Sequence, residues 1–344
     1  MFGRASPKPI KVQVFAKTDL GRTRDHNEDR FLVADLTRHQ ASLLPAVRNH
    51  EIGPRGSLFV VADGMGGAAA GEVASAMATE TVYEHLVQAW GREPEATPQR
   101  FAYRLREAVE MANNRIYTHA AGHPEVRGMG TTATAVGVLA DHLFLTQVGD
   151  SRAYLIRQGQ AVQLTKDQSL MQRLVEAGEM TEEQAAKSER KNIILQALGP
   201  DARVKVDLTH QELRRGDILV LCSDGLSGLV KKEEIAEVAG RERDLQVACD
   251  KLVALANERG GPDNITVILA RFDGEGLRPP EPSAEVGHQV YPLIDTETST
   301  EPVPVYKGSP APEPVARVRW RLLALVLAAA VASAVALYVV KRSP

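Results

Sequence analysis

An α+β fold built on antiparallel pairing is predicted by three observations. Short runs rich in β-branched and aromatic residues recur through residues 10–272. Neighbouring runs are separated by tight turns, and the long helical patterns are grouped instead of alternating with every strand. Asp141 between 139 and 142, Gly149-Asp150-Ser151 and Gln158-Gly159-Gln160 all fit hairpin loops, which argues against repeated βαβ crossovers.

Residues 1–10 form a tail bearing proline and lysine. Strands are predicted at 11–16 (KVQVFA), 30–35 (RFLVAD), 57–63 (SLFVVAD), 132–139 (TATAVGVL), 142–148 (HLFLTQV), 152–157 (RAYLIR), 217–223 (DILVLCS) and 264–271 (NITVILAR). Helical patterns at about 69–90 and 98–120 follow the third strand and should cover a sheet, and another at about 244–259 precedes the last strand. Residues 165–200 interrupt the series with a charged, mostly helical stretch in which Thr181 and Gln184 fit a capping box. That stretch reads equally as a surface helical pair or as a mobile insertion over a site.

After residue 272 the texture changes. Residues 273–321 are rich in proline and acid with little apolar surface, as expected of an extended linker. Residues 322–340 (LLALVLAAAVASAVALYVV) are uncharged, and at the helical rise they would span about 28 Å, close to a bilayer core. Trp320 and the flanking Arg317, Arg319, Arg321, Lys341 and Arg342 suit its interfaces, leaving 341–344 as a short tail. The expectation is one transmembrane helix.

Composition removes several classes. With 41 basic and 44 acidic residues, and no basic cluster in the body of the chain, a nucleic-acid partner is not expected. Cys222 and Cys249 lack metal or redox spacing and read as reduced core residues. The first residues have no apolar region of the kind a secretory signal needs, so the chain is expected to begin in the cytoplasm.

The chemistry is carried by acids at strand ends. Asp63-Gly64, Asp150, Asp224 and Asp263 each end or begin an apolar run. Carboxylates without accompanying histidine or thiolate are oxygen ligands, suited to Mg²⁺ or Mn²⁺. Gly64 would let its own carbonyl approach such an ion, and two cations bridging a water could supply hydroxide for attack on phosphorus. In DLGRTRDHNEDRF (19–31), Glu28 and Asp29 could supply a ligand and a water-orienting carboxylate, and Arg24 offers a planar fork for phosphate oxygens.

In order, RDHNED, ADGMGG with AGE, GMGTT, VGDSRAY, LCSDGLS and GGPDNIT resemble the motifs of the metal-dependent serine/threonine protein phosphatases of type 2C, in their bacterial form. The resemblance spans residues 19–269. It implies an antiparallel β-sandwich with helices on both outer faces, a four-layer αββα fold, with 165–200 as the family's variable flap. It further implies that Asp63, bridging, and the Gly64 carbonyl bind a metal pair completed by Asp224 and Asp263. By the same resemblance Glu28 and Asp29 would hold metal-bound waters, Arg24 would bind phosphate, Asp150 with Asp224 would make a third metal site, and Asn264 follows the acid as the family expects. Met65 stands where eukaryotic members have a histidine proposed as general acid. Ala68 and Lys187-Ser188 replace a histidine and a His-Pro frequent in bacterial relatives.

The expected function is hydrolysis of phosphoserine and phosphothreonine in proteins, opposing Ser/Thr kinases, by an enzyme anchored in the inner or plasma membrane and facing the cytoplasm. A thiol mechanism is set aside, because the position six residues after each cysteine holds Gly228 or Leu255 where an arginine is needed. A catalytically silent phosphoprotein-binding module is the main rival, and it has no reason to keep these acids. A small-molecule phosphohydrolase is the second, and it finds no GxxxxGK[ST] loop. His26 reads as a solvated loop residue.

Overall fold

The computed structural model describes residues 8–66, 70–281 and 285–293. Its strands are β1 (Lys11–Asp19), β2 (Asp29–Asp35), β3 (Gln40–Ala41), β4 (Asn49–Glu51), β5 (Ser57–Met65), β6 (Gly130–Thr131), β7 (Ala133–Leu139), β8 (His142–Val148), β9 (Arg152–Arg157), β10 (Gln160–Gln163), β11 (Asp207–Glu212), β12 (Ile218–Cys222) and β13 (Ile265–Asp273). The helices are α1 (Pro45–Arg48), α2 (Ala70–Gln88), α3 (Pro98–Gly122), α4 (Leu170–Glu176), α5 (Glu182–Lys187), α6 (Asp224–Ser227), α7 (Lys232–Arg241) and α8 (Leu245–Glu258).

One sheet runs β10-β9-β12-β13-β1-β4; the other runs β11-β8-β7-β5-β2-β3, with β6 beside β5. The pairings are antiparallel throughout. Alternation along the strands sorts the core into layers. In β5, Phe59 and Val61 face the opposite sheet, while Leu58, Val60 and Ala62 meet α2 and α3. In β12, Leu219 and Leu221 face inward, and Ile218, Val220 and Cys222 meet the layer of α6, α7 and α8. The result is helix, sheet, sheet, helix, the layering the resemblance implies.

The hairpins fall where the turn residues place them. Leu139 pairs with His142, and Arg157 with Gln160, across two-residue loops. Gln158 and Gly159 both take positive φ (51° and 81°), the pattern of a turn that matches strand twist. Both cysteines are free and buried, and burial pushes each thiol up to about 12.

Two expectations need correction. The 165–200 stretch is not mostly helical: α4 and α5 are short, with seven and six residues, although the Thr181–Gln184 capping box is present. Nor does the folded unit stop at residue 272. Leu277 is buried, the Arg215 amide donates to the Arg278 carbonyl (2.9 Å), and residues 285–293 lie along the outer edge of β11. There the His210 amide donates to Gln289 O (2.9 Å) and the Tyr291 amide to Leu208 O (3.0 Å), while the Tyr291 ring packs edge-on against Phe144. An exposed strand edge carries unpaired N–H and C=O groups, and this segment satisfies part of that demand. The remainder of the linker assignment, the predicted membrane span at 322–340 and the final tail lie outside the described residues.

Candidate metal centre

Topology brings the acids to one end of the sandwich. In the β2/β5 ladder Asp29 lies directly across from Asp63, a like-charge pair that destabilises a sheet unless something neutralises it. From the opposite sheet, Asp224 opens α6 just after β12 and Asp263 lies two residues before β13. Asp150 sits in the β8–β9 turn. The sheets are stitched together by Ser223, whose Oγ donates to Asp29 Oδ2 (2.8 Å) and accepts from the Thr266 amide (3.0 Å).

The backbone around Asp63 is fixed from two sides. Its amide donates to Thr132 Oγ1 (3.0 Å), and its carbonyl accepts from the Thr132 amide (2.8 Å) and Thr131 Oγ1 (2.9 Å). At Gly64 a Cβ would lie 2.2 Å from the Gly71 carbonyl oxygen and 2.6 Å from that of Glu28, so no other residue fits where the strand turns toward α2. Asn264 ties the Arg24 loop to this frame. Its amide nitrogen donates to Leu20 O and His26 O (3.0 Å each), and its oxygen accepts from the Glu28 amide (2.8 Å).

The electrostatics are those of anions lacking a counter-ion. Burial, opposed by hydrogen bonds from Thr266 and Ser223, raises Asp29 to about 7, and the charges of Asp224 and Asp263 push it the same way. Burial and then the charges of Asp29, Asp224, Asp150 and Asp263 hold Asp63 well above the usual carboxylate range. Asp150 is raised to about 7 by burial and then by Asp224 and Asp167. Asp224 is raised by burial and Asp263, against the pull of a hydrogen bond with Asp63 and the charges of Arg152 and Lys191. Among the described residues, the only buried carboxylate oxygens without a hydrogen-bond partner are Asp29 Oδ1 and Asp224 Oδ1.

These features fit hard divalent cations. Orphaned carboxylate oxygens and mutual repulsion are what a bound cation relieves, and the donors are all oxygens. The arrangement is not a finished cage: among the described residues no three acid, histidine or cysteine side chains are gathered ready for an ion. Asp263 accounts for part of this. Its Oδ2 accepts from Arg24 Nη2 (2.7 Å) and its Oδ1 from the Asn264 amide (2.8 Å).

Arg24 is therefore not the free fork that the sequence suggests. It is exposed but paired with a predicted metal ligand, and the hydrogen bond to Asp263 raises its pKa. His26 is exposed, as expected of a loop residue, and Met65 pairs with Gly130. Lys187-Ser188 ends α5 on the surface, and Ala68 lies outside the described residues. Sequence reading missed Ser223 and the Thr131-Thr132 pair as supports. Both sit inside motifs already singled out, and a small hydroxyl residue beside a strand-end acid is the signal that could have found them.

Comparison with known proteins gives a consistent picture. The family model described as protein phosphatase 2C matches residues 46–259. That span includes Asp63, Gly64, Asp150 and Asp224 but not Arg24, Glu28, Asp29, Asp263 or Asn264, which the fold brings alongside. The serine/threonine phosphatase stp of Listeria monocytogenes is 37% identical over 259 residues, 75% of this chain and 94% of that protein. Among solved structures, the serine/threonine phosphatase of S. agalactiae superposes with a TM-score of 0.65 at 35% identity, covering 75% of this chain and 98% of that one. The catalytic domain of the serine/threonine phosphatase PstP in complex with two manganese ions gives a TM-score of 0.63 at 35% identity, covering 77% and 99%.

Proposed function

The chain belongs to the protein phosphatase 2C family and is a metal-dependent serine/threonine protein phosphatase; we propose that Asp63, the Gly64 carbonyl, Asp224 and Asp263 hold its two core cations, Mn²⁺ or Mg²⁺. Asp29 and Glu28 orient water in this reading, and Asp150 with Asp224 holds a third cation. The observation that carries it is the pair of orphaned oxygens, Asp29 Oδ1 and Asp224 Oδ1, among acids that repel one another. Cations held by these residues would supply Lewis-acid chemistry, the activation of a water and the neutralisation of charge on the phosphoryl group.

The remaining work belongs to the chain. Hydrolysis replaces the bond between phosphorus and the serine or threonine oxygen with one to a water oxygen, and the alcohol leaves carrying a proton. Arg24 grips the dianionic phosphate by exchanging its carboxylate partner for phosphate oxygens, which also frees Asp263. Ser223 and Asn264 keep Asp29 and the Arg24 loop in register across the two sheets. Met65 has no titratable group, so no residue is assigned to protonate the leaving alcohol.

Assay of the full chain on a phosphothreonine peptide, with Mn²⁺ or with chelator, tests this reading. Activity should require the metal and be lost in Asp63→Asn while the fold persists. Undiminished turnover by Asp63→Asn at low Mn²⁺ would overturn the assignment.

We further infer that residues 322–340 anchor the enzyme in the inner or plasma membrane, with the phosphatase unit in the cytoplasm acting on Ser/Thr kinases and their substrates. The support is the uncharged run and its basic and aromatic flanks; among the described residues no helix is long and apolar enough to cross a membrane. Protease added from the outer face should spare the phosphatase unit, and digestion of that unit would contradict the topology.

A further inference from the structure

The turn that carries Asp150 is held by a residue from the base of the flap. Gly149 precedes Asp150 in the left-handed conformation (φ 100°), and a Cβ there would lie 2.6 Å from Thr132 Cγ2. Both of its backbone polar groups are taken by Gln168. The Gly149 amide donates to Gln168 Oε1 (2.9 Å), and the Gly149 carbonyl accepts from the Gln168 amide (2.9 Å).

Two further bonds fix Gln168 itself. Its Nε2 donates to Asp207 Oδ2 (2.9 Å), which sets the carboxamide so that Oε1, and not the nitrogen, faces Gly149. Its carbonyl accepts from the Leu195 amide (2.7 Å), closing the returning arm of the flap on the same residue. Gln147 adds a parallel tie, donating from Nε2 to the Gly149 carbonyl (3.1 Å) and accepting from the Lys166 amide (3.0 Å). This network joins the base of the flap to the Asp150 turn.

We propose that Gln168 is a positioning residue for Asp150, setting the affinity of the outer cation site without touching the two-cation core. The proposal rests on the reading that Asp150 with Asp224 holds a cation. A carboxylate carried on a turn must be aimed to be of use to an ion. A turn fastened at both peptide groups of the preceding residue supplies that aim, in the way that partners outside the ligand set orient metal ligands.

The test is Mn²⁺ calorimetry on the full chain, with steady-state kinetics and amide exchange, for Gln168→Leu, Asp150→Ala and the double variant Gln168→Glu/Asp207→Asn. The double variant turns the side-chain bond round, the new amide donating to the new carboxylate, while an oxygen still faces Gly149. Gln168→Leu should weaken the weakest Mn²⁺ site roughly 10- to 100-fold and leave the tighter sites alone. It should also lower kcat with KM unchanged and speed exchange of the Gly149 amide. The double variant should recover most of the outer-site affinity, and it keeps the question answerable if Gln168→Leu misfolds.

Loss of an outer site in Asp150→Ala with no change in Gln168→Leu would overturn the inference alone. Mn²⁺ binding by Asp150→Ala identical to the parent would overturn the third-site reading and the inference with it. Weakening of all sites together in Gln168→Leu, unrepaired by the double variant, would show a general structural role and contradict the proposal.

Discussion

Strand β12 has an aspartate at each end, and the two are treated in opposite ways. Asp217, just before Ile218, is buried and fully paired. Arg157 donates to both of its oxygens (2.9 and 2.7 Å) and the Arg214 amide adds a third bond (2.7 Å). Asp224, two residues after Cys222, keeps one buried oxygen without a partner and faces Asp63 and Asp263. A buried charge that is fully hydrogen-bonded holds the fold together, whereas one left short of partners marks where a ligand is expected. The residue type is the same and both flank one strand; the partners separate structure from chemistry.

The comparison predicts a crossed result. Asp217→Ala takes the carboxylate away from the buried Arg157 guanidinium, which keeps its bond to the Glu212 carbonyl, and should cost about 3–5 kcal/mol of stability, with turnover per folded molecule unchanged. Asp224→Ala should reduce turnover by well over a hundredfold, since partners outside the ligand set alone are worth roughly that much, and should leave the metal-free protein at least as stable as the parent. Urea unfolding and peptide assays on both variants check this. Loss of stability in Asp224→Ala and loss of turnover in Asp217→Ala would reverse the account.

A smaller effect concerns the far edge of the other sheet. A chain ending at Asp273 loses Leu277, Tyr291 and Leu293 from the fold, whereas one ending at Leu293 keeps them. The shorter chain should be less stable by about 3 kcal/mol, from lost apolar burial, with kcat preserved. Equal melting of the two would show that the segment contributes nothing.

Arg24 sharpens the contrast from the substrate side. Its bond to Asp263 is at the surface, and removing it should change stability by about 1 kcal/mol or less. Losing a charged hydrogen bond to phosphate should nevertheless raise KM roughly ten- to a hundredfold. An unchanged KM in Arg24→Ala would remove it from phosphate binding.

The smallest expected effect is a pH slope in chelated protein. Asp29 and Asp150 are raised from the ordinary 3.8 to about 7. The unfolded chain gives up these protons near pH 4 and the folded chain keeps them to about 7, so metal-free stability should fall as pH rises across that window. Asp29→Asn should flatten the slope, and saturating Mn²⁺ should offset it, because metal binds the deprotonated ligands. Thermal melts between pH 4 and 8 measure it; a slope that rises with pH would contradict the shifts.

Much of this was legible in the residues because the fold places strand ends together. Asp63, Asp224 and Asp263 each end or begin an apolar run, and the alternation of Leu58 to Ala62 and of Ile218 to Cys222 is the layer pattern itself. What escaped depends on partners remote in sequence. Arg24 meets Asp263 across 239 positions, and a lone Gln168 carries no local signal. Strand β11 (DLTHQE) is too polar to announce itself. The isolated apolar residues Tyr291 and Leu293, set among prolines and acids, become meaningful only once the edge of β11 exists to receive them.

The central claim, that the strand-end acids form a cation centre, is tested most directly by titrating Mn²⁺ into the chelator-stripped full chain and into Asp63→Asn, with calorimetric detection. The account predicts at least two Mn²⁺ ions bound by the parent and loss of the core pair in the variant, whose metal-free melting temperature is equal to or above the parent's. Equal Mn²⁺ binding by the two proteins, or none by the parent, would contradict it.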